Sequence, residues 1–472
     1  MTGHPATIAP PPPNSVRDRA TAVIDRFRHQ FMNAEGLISR NNPPDNRTIF
    51  DNFDDLAPFL AWWGAHDVLN GQVDRLVPED FERRLRHGNL LHAYKIDEYV
   101  GGLDVVARTT GSMQARALRD DAIYKCWAYF GDPELGLAEF YDFDSGRRSP
   151  FFSPWAAGLL ETILESDPRA ETLQQVEQIL DLWWRHPYVE ATGLLPFRGA
   201  FGGVQAASER FWARCGRCIE EPPIRWAESG DSLRGALRRS RAVSRLRRLS
   251  WQWGGSGLWS QLMKSNTTPV FLAIALFNRT RDPKWARRIS RWFAALRTHL
   301  VRPEGVHGAL RNGRPAGLPT LVAAFIAIDV ACDSWWYVAR DDGLLDLAAT
   351  VADGCLAWCW PNGLIPMAPG ADRDHLDNQI DFAIAIRRVS ELTGDRALLS
   401  RSADLLETAL AAHATPAGYC THVTCEGRVV QLPVNTVDPK YNALVLKGLT
   451  SLATLDRQIY GSDDLHDLFK DR

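Results

Sequence analysis

Six times along this 472-residue chain a helical stretch runs into a glycine followed by an apolar residue: AEGLI at Gly36, ELGLA at Gly136, ATGLL at Gly193, PEGVH at Gly305, PNGLI at Gly363 and PAGYC at Gly418. The steps from Gly136 to Gly193, Gly305 to Gly363 and Gly363 to Gly418 are 57, 58 and 55 residues. The other two, 100 and 112, each exceed that period by the length of an insertion. Glycine supplies left-handed or open backbone where a helix ends, and the apolar residue after it folds back onto the helix. A recurring period of this kind marks a repeated helical hairpin.

The two helices of each hairpin differ. Those before the glycines, such as RATAVIDRFRHQFM, AETLQQVEQILDLWW, DPKWARRISRWFAALRTHL and RALLSRSADLLETALAAH, carry one apolar stripe and one charged face, as water-exposed helices do. Those after the loops, APFLAWWGAH, SPWAAGLLETIL, TPVFLAIALFN, LPTLVAAFIAIDVA, IDFAIAI and YNALVLKGLTSL, are apolar on most sides and belong inside. Pro58, Pro154, Pro269, Pro319 and Pro439 stand at inner-helix starts, where a first turn tolerates a residue without an amide hydrogen. Short Asp-, Pro- or Gly-rich turns, LESDPRAE, NRTRDPKW and LTGDRALL, lead back outward.

Six outer and six inner helices in alternation predict an all-α closed double ring. In this rhythm, and in phrases such as ELTGDRALLSRSADLL, the chain resembles the (α/α)6-toroid superfamily of carbohydrate-active enzymes, which includes glycoside hydrolases, polysaccharide lyases and sugar epimerases. The resemblance covers about residues 16–455 and implies a sugar-processing enzyme, without matching one family. Residues 1–15 read as a disordered proline-rich lead, 67–110 and 199–262 as insertions, and 456–472 as a tail.

A formal net charge of −3 gives no global attraction to nucleic acid. Seventeen Trp, twenty Phe and ten Tyr suit stacking platforms for sugar rings and a large core alike. Eight cysteines form no paired zinc motif, Cys215 and Cys218 being the nearest approach, and read as buried thiols. The N-terminus lacks the order of a secretory signal, and no stretch reads as apolar over the about 18 residues a membrane span needs, so a cytoplasmic protein is expected. Arg234 to Arg248 form a basic run that suits an anionic glycan or a peripheral membrane contact, or else pairs with Glu220, Glu221, Glu228 and Asp231.

The long loops after the outer helices emerge on one rim, so side chains there are the candidates for chemistry. FDNFDDLAP offers Asp54 and Asp55, EFYDFDSGRR offers Asp142 and Asp144 beside Tyr141, and DRDHLDNQID offers Asp377 beside His375. Glycoside hydrolysis needs one protonated carboxyl group for the leaving oxygen and a second, ionised one. Those five aspartates are the catalytic candidates; N-capping is the rival account for Asp54 or Asp55. Asn266, Asn378, Tyr141, Tyr441, His375 and Arg198, with Trp251 and Trp253 of WQWGGSGLW, are the substrate-binding candidates, against capping, surface and core roles. No cofactor and no metal site is expected, since DRDHLDNQID lacks the glycine and terminal glutamate of a calcium loop. An oligosaccharide or polysaccharide substrate is expected, anionic if the basic run takes part. Glycosidase is the leading expectation; a uronate lyase or epimerase, a terpene-type cyclase and a non-catalytic glycan-binding repeat protein are the rivals. No nucleotide-binding, GxSxG or HExxH motif is present.

Overall fold

The computed structural model describes residues 15–167, 169–201, 259–311 and 313–455. Trp251, Trp253, the basic run 234–248, Cys215 and Cys218 lie outside them. Helices follow in chain order as α1 (Val16–His29), α2 (Ala57–Trp62), α3 (His66–Val73), α4 (Asp80–Leu85), α5 (Ala93–Thr110), α6 (Met113–Phe130), α7 (Ala157–Ser166) and α8 (Ala170–Trp184). Then come α9 (Pro187–Thr192), α10 (Thr268–Thr280), α11 (Pro283–His299), α12 (Leu321–Asp333), α13 (Asp342–Leu356), α14 (Leu376–Thr393), α15 (Arg396–His413) and α16 (Pro439–Ala453).

Among the described residues the chain forms an (α/α)6 toroid. Inner helices α5, α7, α10, α12, α14 and α16 pack against outer partners α6, α8, α11, α13, α15 and α1. The short α2 bridges α16 and α5 on the inner side of the ring. The ends of the chain meet: Arg19 of α1 pairs with Glu407 of α15 at 2.6 Å, and Arg26 and Gln30 donate to the Pro416 and Ala417 carbonyls at 3.0 and 2.7 Å. Connections from inner to outer helices are short turns, so the long loops all collect at the N-terminal ends of the inner helices.

All six repeat glycines have positive φ, between 74° and 133°. Only Gly193 ends a helix, α9; the others lie a few residues beyond one, in tight reversals such as Val301–Arg302 against Gly305–Val306. Their second role is close approach. A Cβ on Gly136 would stand 2.7 Å from Ile179 of α8, and one on Gly305 2.7 Å from Trp358 beyond α13, so each loop tucks under the next hairpin. Side-chain amides clasp four of these loops by the backbone: Gln72 holds Gly36 and Ile38, Asn266 holds Leu195, Gln379 holds Ile365 and Asn442 holds Tyr419. A buried backbone polar group left unpaired is costly, and one amide, with its donor and acceptor, satisfies both groups at once.

Three expectations are corrected. Residues 67–110 do not interrupt the ring, for they contain α5, a full inner helix. Pro319 precedes α12 rather than opening it, and Thr320 caps that helix through the amide of Ala323. The run Leu321–Val338 is long and apolar enough to cross a membrane by length and composition, yet it begins as an inner-ring helix and 61% of it is buried in the protein. Four of the six described cysteines are buried, as expected.

Candidate active site

The stretch DNFDDLAP reaches the ring mouth because α5 lets it in. Gly102 has no side chain, and a Cβ there would collide with the buried ring of Phe53. Phe53 therefore lies flat on α5, and Asp54 follows it down: its amide donates to the Glu98 carbonyl at 2.9 Å, and its Oδ1 accepts from the Asp55 amide at 2.9 Å. Neither acid caps α2, whose cap position is Leu56 with no side-chain hydrogen bond. The capping account of this sequence is thus set aside.

Asp55 is instead held by Lys440 at 2.7 Å, on the first turn of α16, where Asp438 caps the helix through the Lys440 amide at 2.8 Å. Asp377, on the first turn of α14, and Glu98 of α5 face the same ammonium group. Three elements, the stretch before α2, α14 and α5, therefore bring carboxyl groups to one lysine on α16. Asp54, Asp55, Asp97, Glu98 and Asp377 are deep but not dry, each keeping intermediate exposure toward the mouth or the hole beneath it.

These surroundings separate the acids electrically. Burial, reinforced by the charge of Asp381 and only partly offset by Lys440, pushes Asp377 up to about 8. Burial raises Glu98 to about 7 against the pull of Lys95 and Lys440, and Asp97 to about 6 against its hydrogen bond from Thr162. Asp54 is raised well above the ordinary carboxylate range by burial and then by Asp55. Burial works against the charge of Lys440, but Asp55 and Asp377 outweigh it and raise this ammonium group above its ordinary value.

Below the mouth runs an axial cavity of about 440 Å³, lined by every inner helix. Eight carboxyl groups and three basic side chains face it. Thr162 donates to Asp97 at 2.7 Å, Lys447 to Asp381 at 2.6 Å, and Arg388 spans Asp329 and Asp333, the first at 3.0 Å. Phe59 and Phe271 supply apolar wall. Beside Asp377, the His375 ring meets Tyr441 edge-on at 4.6 Å and His422 at 4.7 Å. Burial lowers His375 to about 3, keeping the imidazole neutral, and its buried Nδ1 has no hydrogen-bond partner. Among the described residues no group of three or more His, Cys, Asp or Glu is arranged to hold a metal ion.

Of the sequence candidates, then, Asp54, Asp55, Asp377, His375 and Tyr441 converge, with Asn378 buried beside them on α14. The others do not. Asp142 and Asp144 form a hairpin turn, Asp142 accepting from Asn89 at 2.6 Å, Ser145 at 2.9 Å and the Asp144 amide at 3.0 Å, and these hydrogen bonds hold its carboxylate below the ordinary range despite some burial. Tyr141 packs on Tyr129 and Phe143. Asn266 is fully buried, occupied by the Leu195 clasp and by the indole of Trp292 at 3.0 Å. Arg198 is buried against Glu139, Nε to Oε2 at 2.5 Å. Sequence reasoning missed Asp97 and Glu98, although KIDEYVGGLDVVA shows apolar residues at helical spacing around an acid pair and a glycine pair.

No family model matches the sequence, and no curated protein sequence matches it. Solved structures do resemble the fold. D-mannose isomerase superposes with a TM-score of 0.55 at 11% identity, covering 95% of this chain and all 100% of its own. Cellobiose 2-epimerase from Bacillus thermoamylovorans B4167 gives 0.53 at 11% identity, over 93% of this chain and 98% of that one. The alpha-1,2-mannosidase from Trichoderma reesei gives 0.57 at 11% identity, over 91% and 92%. This chain therefore has the closed helical toroid fold that these three enzymes share.

Proposed function

We propose that the protein is a carbohydrate-active enzyme, and specifically a glycoside hydrolase with Asp377 as general acid and Asp55 as the ionised carboxylate. The observation that carries this reading is Lys440: it pairs directly with Asp55, while burial and Asp381 keep Asp377 protonated near neutrality. Glycosidic cleavage needs one protonated carboxyl group and a second carboxylate: burial supplies the first at Asp377, and Asp55, held by the Lys440 ammonium group, is the second. Asp377 gives its proton to the leaving oxygen as the glycosidic bond breaks, and Asp55 activates water or attacks the anomeric carbon. Three similar folds that act on sugars, by their names, support the substrate class.

A second reading has its own support. The neutral His375 imidazole beside Tyr441 supports proton abstraction next to a sugar carbonyl, as an epimerase or isomerase requires. A panel of oligosaccharides assayed in D2O separates the two, because hydrolysis releases reducing ends and epimerisation brings deuterium to carbon. Asp377→Asn and Asp55→Asn are expected to lower kcat/KM about 10²- to 10⁴-fold. Unchanged turnover in both variants rules out the hydrolytic assignment, and deuterium uptake that depends on His375 replaces it.

A further inference from the structure

A second and larger cleft, about 1340 Å³, opens beside the ring mouth between the loop 40–51, the turn 83–92 and the first residues of α5. Its charge is opposite to that of the axial cavity. Six arginine or lysine side chains and two histidines line it, against only Glu35 and Asp51. Arg83 and Arg84 are engaged by Asp80, and Arg84 also by Glu35 at 2.8 Å. Arg40 and Lys95 share the single carboxylate of Asp51. Arg47 and Arg86 are exposed and make no ion pair among the described residues, although the Asp45 carboxylate lies near Arg47, and Arg86 lies 4.1 Å from the centre of the Phe143 ring. The lining of the cleft thus carries more positive than negative charge, in a concave site where field lines concentrate.

Position turns this excess into a statement about the ligand. Lys95 contacts Asp51 at 3.1 Å on the cleft side and Glu98 at 3.6 Å on the mouth side, so the two sites are contiguous. We infer that this cleft takes an oxyanion substituent of the substrate, so that the saccharide at the mouth carries a phosphate, sulfate or carboxylate group. Planar guanidinium forks suit such oxyanions, which they bind through paired hydrogen bonds. A nucleic-acid backbone fits poorly, because the adjoining mouth and cavity are acidic. The recess likewise offers no convex face to a membrane.

This inference rests on reading the mouth as a sugar site, but its test reads binding rather than turnover, so the two fail separately. Calorimetric titrations of the full chain with glucose, glucose 6-phosphate, galactose 6-sulfate, glucuronate and inorganic phosphate are compared at about 10 mM and 150 mM salt, where screening lengths are about 30 and 8 Å. At least one anionic sugar is expected to bind tenfold or more tightly than glucose, with the preference shrinking at the higher salt. The order among the three anionic sugars identifies the substituent. In the double variant Arg47→Gln, Arg86→Gln, whose sites are exposed, the preference is expected to disappear while the melting temperature holds. Equal affinity for glucose and all three anionic sugars overturns the inference, as does a preference that survives in the double variant. Binding of inorganic phosphate with no preference among the sugars overturns it too. Loss of hydrolysis in Asp377→Asn with the anion preference intact leaves it standing.

Discussion

Replacing Glu139 by Gln tests whether the ion pair beneath the rim is a structural strut. Glu139 precedes the strand Phe140–Asp142, and Arg198 lies in the loop beyond α9, so their contact ties two long rim loops together. The guanidinium meets the carboxylate at two points, 2.5 and 2.6 Å, with only 1% and 5% of the side chains exposed. Burial raises the Glu139 carboxyl despite the opposing pull of Arg198, which means that desolvation outweighs pairing. The energetic consequence is asymmetric. Removing one member of a buried ion pair costs about 3–5 kcal/mol, whereas replacing both with apolar groups of similar volume is near neutral or stabilising. An exposed pair would cost only about 0–1 kcal/mol. Glu139→Gln is therefore expected to lower the guanidinium denaturation midpoint by the equivalent of a hundredfold or more in the folding equilibrium. Glu139→Leu with Arg198→Met is expected to return to within about 1 kcal/mol of the parent. A single variant that costs under about 1 kcal/mol, or a double variant no better than the single, refutes the reasoning.

Other expectations are checked in the same way. Gly102→Ala drives a methyl group into the Phe53 ring and should cost about 1–3 kcal/mol in denaturation, with loss of activity because Asp54 and Asp55 shift with Phe53. His413 is fully buried, and although burial alone would lower it, its hydrogen bond to Asp374 at 2.8 Å and then the Cys420 side chain raise it to about 9. A histidine raised on folding contributes stability that is complete below its unfolded value near 6.5 and is lost as pH rises through about 9; His413→Gln should flatten that alkaline decline. Asp377 has the same sense, since a carboxyl raised by burial to about 8 makes the fold progressively less stable as pH climbs from about 4 to 8. Asp377→Asn should consequently melt higher than the parent at pH 8 while losing activity, and a lower melting point there contradicts the assignment.

The helical ring was legible in the sequence because its punctuation is local. A positive-φ glycine announces itself wherever it falls, and Gly136 and Gly305 do so whether or not the helix ends there. The acids carried on rim loops were legible for the same reason: FDDLAP and DHLDNQ stand out because nothing else in a turn demands that density of carboxylates. What was hidden depends on the partner an atom finds across the ring. Asn266 and Arg198 have the chemistry to hold a sugar, and only packing reveals that Leu195 and Glu139 already occupy them. YDFDSG has the same acid density as the candidate site but closes on its own turn, with Asn89 and Ser145 satisfying Asp142.

The deepest miss has a more general cause. Inner helices were expected to be apolar on most sides, which holds for a helix enclosed by neighbours but not for one that borders a hole. In α5 the residues that face the axial cavity are Asp97, Gly101, Asp104, Val105 and Arg108, a stripe recurring at one helical turn, while Ile96, Tyr99, Val100, Leu103, Val106 and Ala107 are buried elsewhere in the core. The amphipathic pattern is the one an outer helix shows toward water, so periodicity alone cannot say whether the wet side is the surface or the lumen. Lys440 and Lys447 on α16 and Asp377 and Asp381 on α14 obey the same rule. A central ring helix is therefore recognised by a charged stripe on an otherwise apolar surface, and in this lumen Lys447 and Arg388 pair with Asp381, Asp329 and Asp333 while the lining as a whole stays acidic.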